Sequence, residues 1–303
     1  MASRIGQQFG NYQLFQLLGK GSFAEVYLGG HIHLGTLAAI KVLHTQSMDV
    51  NAFRTEARII AHLIHPHIVR VLEFGIEDQG PFLVMDFAPY GTLRQRHPKG
   101  ERIPLPTVVS YARQVADALQ YAHDERLVHR DVKPGNMLVG RRNEVLLSDF
   151  GIALLAQSSH DQHPYDTAGT MLYMAPEQIR GRPCAASDQY SLGIVVYEWL
   201  CGTLPFTGAS SIKVAMKQLS EPAQALRDIV PSISPAVEQV VMRALAKDPE
   251  ERFMSVQGFA AALEQASLSD ESSMLAQPSP SIEQSLPPIS PAGSPDDTLP
   301  TQP

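Results

Sequence analysis

His129-Arg130-Asp131-Val132-Lys133-Pro134-Gly135-Asn136 sets a carboxylate, a lysine and a carboxamide within eight residues. The carboxylate can take a proton, and the carboxamide oxygen can hold a metal ion. Pro134 and Gly135 punctuate the backbone, so these polar groups project from a loop and do not line one helix face. Any three of the residues taken alone would also describe a polar surface turn.

The flanks of the octet are patterned. Before it, Pro104 to His123 carries Val108, Ala112, Val115, Leu119 and Ala122 on one stripe, which predicts a helix that supports the loop. After it, Asp188 to Leu200 is almost continuously apolar, which predicts a buried helix capped by Ser187 or Asp188. Two shorter helices are expected at about 235–246 and 256–266. Toward the N-terminus, Tyr12 to Leu18, Ala24 to Ile32, Leu37 to Leu43, Val69 to Glu77 and Pro81 to Phe87 read as five short strands joined by glycine-containing turns. One helix, about 50–64, interrupts them with Phe53, Ala57, Ile60, Ala61 and Ile64 at helical spacing, and Glu56 falls on that apolar face. An inward carboxylate needs a cation, and Lys41 is the candidate.

Composition narrows the function classes. The 303 residues are 44% apolar and 18% charged, as in soluble globular proteins, and the net charge of -7 argues against a nucleic-acid surface. Cys184 and Cys201 have no metal-ligand spacing, and two thiols suit a reducing compartment. His62, His65 and His67 lack the cysteine or carboxylate cluster that a zinc site needs. Met1 to Gln8 has no apolar targeting core, and no run approaches the roughly 18 apolar residues of a membrane span, so a cytoplasmic protein is expected. A longer parent chain tethered to a membrane stays open. Residues 267–303 are Ser, Pro and Gln rich without Lys or Arg, and read as a disordered spacer. The alternatives are a proline-motif ligand for a partner or a linker to a further domain.

The octet, followed by Asp149-Phe150-Gly151 and Ala175-Pro176-Glu177, resembles the protein-kinase set. The form with Lys133 looks like the serine/threonine branch. Ala175-Pro176-Glu177-Gln178 and Ser187-Asp188-Gln189-Tyr190-Ser191-Leu192-Gly193 are most similar to bacterial kinases of the eukaryotic (Hanks) type. The resemblance covers about residues 9–264. It implies an α+β, two-lobed fold: a small antiparallel N-lobe at about 9–87 with one key helix, and a larger helical C-lobe at about 91–266. Gly19-Lys20-Gly21-Ser22-Phe23-Ala24-Glu25-Val26 resembles the loop that covers ATP phosphates, with Ala24 where the third glycine usually stands. If that position needs positive φ, the alanine costs of order 1 kcal/mol; if not, its methyl is harmless.

The resemblance carries roles onto particular residues. Asp131 orients and deprotonates the attacking hydroxyl, and Lys133 neutralises charge on the transferred group. Lys41, held by Glu56, reaches the α and β phosphates of ATP, while Asn136 and Asp149 hold Mg2+, with Mn2+ as the alternative. The nucleotide pocket takes Leu18, Gly19, Gly21, Val26 and Ala39 above, Leu138 below, Met85 at the back and the Asp86 to Ala88 backbone at the hinge. Between Asp149 and Glu177 lies a segment with Ser158, Ser159, Tyr165, Thr167 and Thr170. Autophosphorylation at Thr167, read by Arg130, is expected, with Ser158 or Ser159 as alternatives and a homodimer as a route. Thr170 belongs to the catalytic site, Glu177 and Arg252 form a buried ion pair, and Asp188 anchors the catalytic loop. The implied partners are ATP and proteins presenting Ser or Thr. A pseudokinase scaffold and a small-molecule phosphotransferase are the alternatives. A Gly-x-Ser-x-Gly elbow is missing and the Gly19 loop does not open a helix, which disfavours acyl and hydride transfer.

Overall fold

Alternating and β-branched sequence near the N-terminus folds as a meander. The computed structural model describes residues 4–21, 24–44, 50–77, 80–150 and 168–275. In it β1 (Gln8–Phe9), β2 (Tyr12–Lys20), β3 (Ala24–His31) and β4 (Leu37–Leu43) precede α1 (Val50–Ala61), β5 (Val71–Glu77) and β6 (Gly80–Asp86). The sheet order is β1-β2-β3-β4-β6-β5, antiparallel throughout. The two-residue β1 is too short to show a period, so the sequence did not signal it.

Both faces of this sheet are covered. Phe9, Leu14, Tyr27, Ile40, Val42, Phe82 and Val84 form one cluster. Ala24, Ala39, Leu43, Leu83 and Met85 face the other way and join the main core with Phe53, Ala57 and Ile60 of α1. Burial on both sides explains why β4 and β6 are apolar at nearly every position. Each large side chain removed from water there contributes about 1.5–3 kcal/mol.

The helical lobe begins with α2 (Leu93–Arg96), whose Thr92 and Gln95 form a reciprocal capping box, and α3 (Leu105–Asp124). A 3-10 turn at Pro134–Asn136 leads into a small hairpin, β7 (Met137–Val139) and β8 (Val145–Leu147). Then come α4 (Ala168–Met171), α5 (Pro176–Ile179), α6 (Ala185–Cys201), α7 (Ser211–Ser220), α8 (Leu226–Ile229), α9 (Pro235–Ala244) and α10 (Val256–Leu275). From Ser187 to Cys201 every residue of α6 is buried, so it packs on all sides. It stops at Gly202, φ +75°, where a Cβ would lie 2.8 Å from the Gly100 carbonyl oxygen.

Three expectations change. Helix α6 starts at Ala185 with Cys184 as its N-cap, not at Ser187 or Asp188. Ser187 Oγ accepts from the Cys184 amide at 3.0 Å as the returning arm of a capping box, which leaves the Asp188 carboxylate free to face elsewhere. Helix α7 was not anticipated. It buries Val214 and Ala215 together with Gln218 and exposes Ile212 and Met216, which blurs its apolar stripe. Helix α10 runs on to Leu275, beyond 266, because no Gly or Pro interrupts 267–275. Residues 276–303, the rest of the proposed spacer, lie outside the described residues. Among the described residues no helix is long and apolar enough to cross a membrane.

Candidate active site

One buried carboxylate shapes the catalytic loop. Asp188, 1% exposed, accepts from the His129 amide (2.8 Å) and His123 Nε2 (2.7 Å) through Oδ2, and from the Arg130 amide (2.8 Å) through Oδ1. Two adjacent amides pointing at one carboxylate require an unusual turn, and Arg130 takes φ +69° there. His129, fully buried, bonds the Ser148 carbonyl through Nε2 (2.9 Å) and accepts from the Asp131 amide at Nδ1 (3.2 Å). That pattern assigns the ring proton to Nε2 and ties the loop to the residue before Asp149. His123 and Ser148 are parts of the frame that no motif in the sequence marks.

Asp131 is held at the end of this frame. Its Oδ2 accepts from Lys133 Nζ and Asn136 Nδ2, both at 2.8 Å, and Asn136 Nδ2 also reaches the Asp131 carbonyl at 2.8 Å. Its Oδ1 is buried and has no hydrogen-bond partner among the described residues. Asn136 spends its amide nitrogen on Asp131, so its oxygen is the atom that can turn to a cation.

Lys41, on β4 opposite Leu83 of β6, reaches across the cleft to Asp149, with Nζ to Oδ1 at 2.8 Å. Burial pushes the Asp149 carboxyl up, but Lys41, with His129 and Lys133, outweighs it and holds the group below the usual carboxylate range. Asp149 sits at φ +68°. The expected Lys41–Glu56 pair is therefore not formed. Glu56 is on the inner side of α1, as its spacing indicated, but its Oε1 is buried without a partner. Burial raises its pKa to about 7, with the Arg130 guanidinium pulling the other way. The ammonium has one strong carboxylate partner within reach in this conformation, and it is Asp149.

The nucleotide side is assembled from the sheet. Ala39 pairs with Met85 and Val26 with Lys41 across neighbouring strands. Leu18 sits at a register shift of β2 and is 38% exposed, Ala39 and Met85 are buried, and Leu138 is half-buried and bridges Thr92. Asp86 ends β6 and Ala88 follows it into the connection between the lobes. Gly19 pairs with Val26 and Lys20 with Glu25 at the end of β2, where Lys20 Nζ and Glu25 Oε1 are 3.0 Å apart, and the Gly21 amide donates to the Ala24 carbonyl at 2.8 Å. Ala24 is not among the four described non-glycine residues with positive φ (Arg126, Arg130, Asn143, Asp149), and it is buried opposite Leu43. Its methyl is thus core packing and costs no backbone strain.

Below the loop, Arg252 donates to both oxygens of Glu177 at 2.8 and 2.9 Å, Ser187 Oγ adds a bond at 2.7 Å, and Arg252 also reaches the Ala186 and Ala246 carbonyls. Burial works against the charge, but the bonds from Arg252 and Ser187 outweigh it and hold the Glu177 pKa below the usual range. Gln178 Nε2 donates to the Arg130 carbonyl at 2.6 Å, which joins this segment to the catalytic loop. The Arg130 guanidinium keeps a buried Nε without a partner among the described residues. Thr167, Ser158, Ser159 and Tyr165 lie outside the described residues, as does the side chain of Thr170.

The donor set fits a hard divalent cation with a nucleotide. Among the described residues no group of three or more His, Cys, Asp or Glu could hold a metal by itself. Asp149 with Asn136 offers one carboxylate and one amide oxygen, which suits a cation that keeps water and phosphate oxygens in its shell. A groove of about 710 Å³ between α3 and α10, lined by residues such as Arg113, Asp117 and Glu264, shares no residue with this cleft.

Comparison with known proteins bears on the same residues. Residues 12–264 match the family described as "Protein kinase domain". The chain is 37% identical over 272 residues to the serine/threonine-protein kinase Pkn1 of Myxococcus xanthus, covering 86% of this chain and 39% of that protein. It is 33% identical to PrkC of Bacillus subtilis (86% and 41%) and 38% identical to PknF of Mycobacterium tuberculosis (85% and 56%). The chain thus spans about two fifths to somewhat over half of the length of these relatives. A crystal structure of Rad53 1-466 in complex with AMP-PNP superposes with a TM-score of 0.71 at 25% identity, covering 82% of this chain and 64% of that one. With its two-lobed α+β fold, its ordered motif blocks and these relatives, the chain belongs to the protein kinase family, in its Hanks-type branch with the bacterial serine/threonine kinases.

Proposed function

We propose that this chain transfers the γ-phosphoryl group of ATP to serine or threonine hydroxyls of proteins. The observation that carries the reading is the state of Asp131: one oxygen is fixed by Lys133 and Asn136, and the other is buried without a partner among the described residues. That second oxygen is where an acceptor hydroxyl would hydrogen-bond and leave its proton as its oxygen bonds to phosphorus and the bond from phosphorus to the β-phosphate oxygen breaks. Lys133, beside it, offsets negative charge that develops on the moving group. Bound between the lobes, ATP with Mg2+ would supply the phosphoryl group and the charge neutralisation its phosphates need. Asn136 and Asp149 would hold the cation, with Mn2+ as the alternative. Leu18, Val26, Ala39, Met85 and Leu138 would enclose the base, with the Asp86 and Ala88 backbone at its edge and Gly19 and Gly21 over the phosphates.

Lys41 is the residue that must change partner. With Asp149 holding a cation, Lys41 would face the nucleotide phosphates, and Glu56 is the carboxylate placed to pair with it from α1. Its raised pKa and unpartnered Oε1 mark a group waiting for a cation. Arg130 supports a second part of the proposal, that a phosphate added in trans to Thr167, by a second copy, is read by this guanidinium. Residues 9–266 would form the kinase unit in the cytoplasm, and 276–303 a spacer or linker.

The test is transfer of labelled phosphate from magnesium ATP by purified protein, alone and with a basic protein substrate, beside Asp131→Asn and Asp149→Ala. Label in serine or threonine that vanishes in both variants is expected. ATP binding without transfer in any phosphorylated or dimerised form would favour a scaffold instead. Mass spectrometry of fully active protein with Thr167 unmodified would remove the Thr167 assignment.

A further inference from the structure

A charged cluster sits at the root of the glycine-rich turn, on the side of the sheet away from the cleft. Glu25 of β3 pairs with Lys20 of β2 and with Val42 of β4. Its neighbours Ala24 and Val26 pack into the core shared with α1, so by the two-residue period of a strand Glu25 and Tyr27 point to the opposite face. There Tyr27 is 3% exposed beside the cluster of Phe9 and Leu14, and Glu25 is 7% exposed. A carboxylate against apolar surface needs partners. Glu25 has three: Tyr27 Oη donates to it at 2.8 Å, Lys20 Nζ lies at 3.0 Å and Arg4 Nε at 3.6 Å. The bonds from Tyr27 and Lys20 outweigh burial and hold its carboxyl below the usual range.

Arg4 brings in the N-terminal segment. Its guanidinium lies 5.9 Å from the centre of the Phe9 ring. The chain just after it is bonded to β2, the Gly6 amide to the Leu14 carbonyl at 2.8 Å and the Leu14 amide to the Gln7 carbonyl at 2.9 Å. Arg4 therefore meets Glu25 from a segment already fixed beside the sheet. It also lies before residues 12–264, the part of the chain that matches the family, so the common fold does not account for this contact.

The turn that Glu25 anchors has little else to set its position at its two glycines. A Cβ at Gly19 would meet nothing within 4 Å, and one at Gly21 only the Ala24 carbonyl oxygen at 3.6 Å. Lys20 enters the turn and Glu25 leaves it, so one carboxylate ties both of its strands to the segment before β1.

We infer that Arg4, Lys20, Glu25 and Tyr27 form a latch by which the N-terminal segment holds the glycine-rich turn over the nucleotide phosphates, so that opening it weakens binding of the phosphates and spares binding of the nucleoside. The clause about the nucleotide rests on the kinase reading; the latch itself does not. Glu25 faces away from the cleft and is a positioning residue, acting through the backbone of the turn.

Two variants test it. Glu25→Gln removes the charge at the centre of the latch. Arg4→Gln removes only the outer tie, at a side chain 25% exposed, and serves if the buried substitution folds poorly. Amide hydrogen exchange over Gly19 to Gly21 and Ala24 to Tyr27 is read in both variants and in wild type. Binding of a non-hydrolysable ATP analogue with Mg2+ is measured beside binding of adenosine, which has no phosphates. Exchange faster by roughly tenfold, with analogue affinity lower by a similar factor, is expected of Glu25→Gln, which loses charge-assisted bonds. For Arg4→Gln, a partly exposed ion pair, both effects should be roughly two- to fivefold, and Arg4→Lys should restore part of them. Adenosine affinity should hold throughout, and in the transfer assay the KM for ATP should rise while the KM for protein substrate does not. Unchanged exchange at these amides in both variants overturns the latch, as does an equal loss of adenosine and analogue affinity, which a general loosening of the small lobe would give. Faster exchange and selective loss of the analogue in a chain that transfers no phosphate even as wild type uphold the latch and remove the transfer reading instead.

Discussion

Glu177 and Glu56 are both inward-facing carboxylates, and the molecule treats them oppositely. Glu177 meets the Arg252 guanidinium through both oxygens and a serine hydroxyl besides, and it stays ionised. Glu56 faces the core with Oε1 unpartnered, and burial lifts its pKa to about 7. The first is finished structure. The second is compatible with two arrangements, because the lysine it was expected to meet is held by Asp149 on the other lobe. A paired charge fixes Glu177 to the last helices of the large lobe, whereas Glu56 on α1 has no such tie to its surroundings.

The sharpest way to break this contrast is Arg252→Ala. If Glu177 is finished structure, leaving it buried and alone costs about 3–5 kcal/mol, measured as a lower denaturant midpoint, and activity falls only as the fold is lost. A loss under about 1 kcal/mol would put the pair among surface bridges and end the distinction. Next in size is Asp131→Asn, which should lower transfer by roughly 10²- to 10⁴-fold with Tm unchanged, since it retains the shape of the side chain and removes the proton acceptor.

Glu56→Gln should act in the opposite sense to Arg252→Ala, raising stability while lowering transfer. Folding moves this pKa from 4.5 to about 7, so between those values the folded chain holds a proton that the unfolded chain has released. Stability therefore falls as pH rises through that window and is flat above it. Glutamine carries no such penalty, so the gain in Tm should be full near pH 8 and fade toward pH 4.5. A pH-independent gain would mean that the carboxylate is not the cause. The smallest effect is expected of Ala24→Gly: at negative φ a glycine adds unfolded-state entropy and removes one buried methyl, so stability should drop by about 1–2 kcal/mol, with no gain in ATP affinity.

Much of this was legible because the residues concerned are constrained locally. The Pro134-Gly135 punctuation forces a turn wherever it occurs, and strands β2 to β6 of the small lobe declare themselves by apolar-rich runs of seven to nine residues. The inward face of α1, with Glu56 on it, follows from a 3.6-residue period alone. Glu198 could have been found too, as a lone acid in an apolar helix, whereas its partners Arg94 and Tyr173, 104 and 25 residues away, carried no signal. Helix α7 escaped because it buries Gln218 under Leu172 and exposes Ile212, a choice made by its neighbours.

By itself, then, the sequence determined which residues stand in the loops and strands of a two-lobed kinase, and in what order, because turn chemistry and hydrophobic period act over a few residues. The tertiary structure decided which charge meets which. Lys41 choosing Asp149 over Glu56, Asp188 gathering His129 and Arg130, and Arg94 crossing to Glu198 are contacts between segments 58 to 108 residues apart. In a medium of low dielectric the gain from an ion pair rises steeply as the separation falls, and separation in space is set by packing of the lobes.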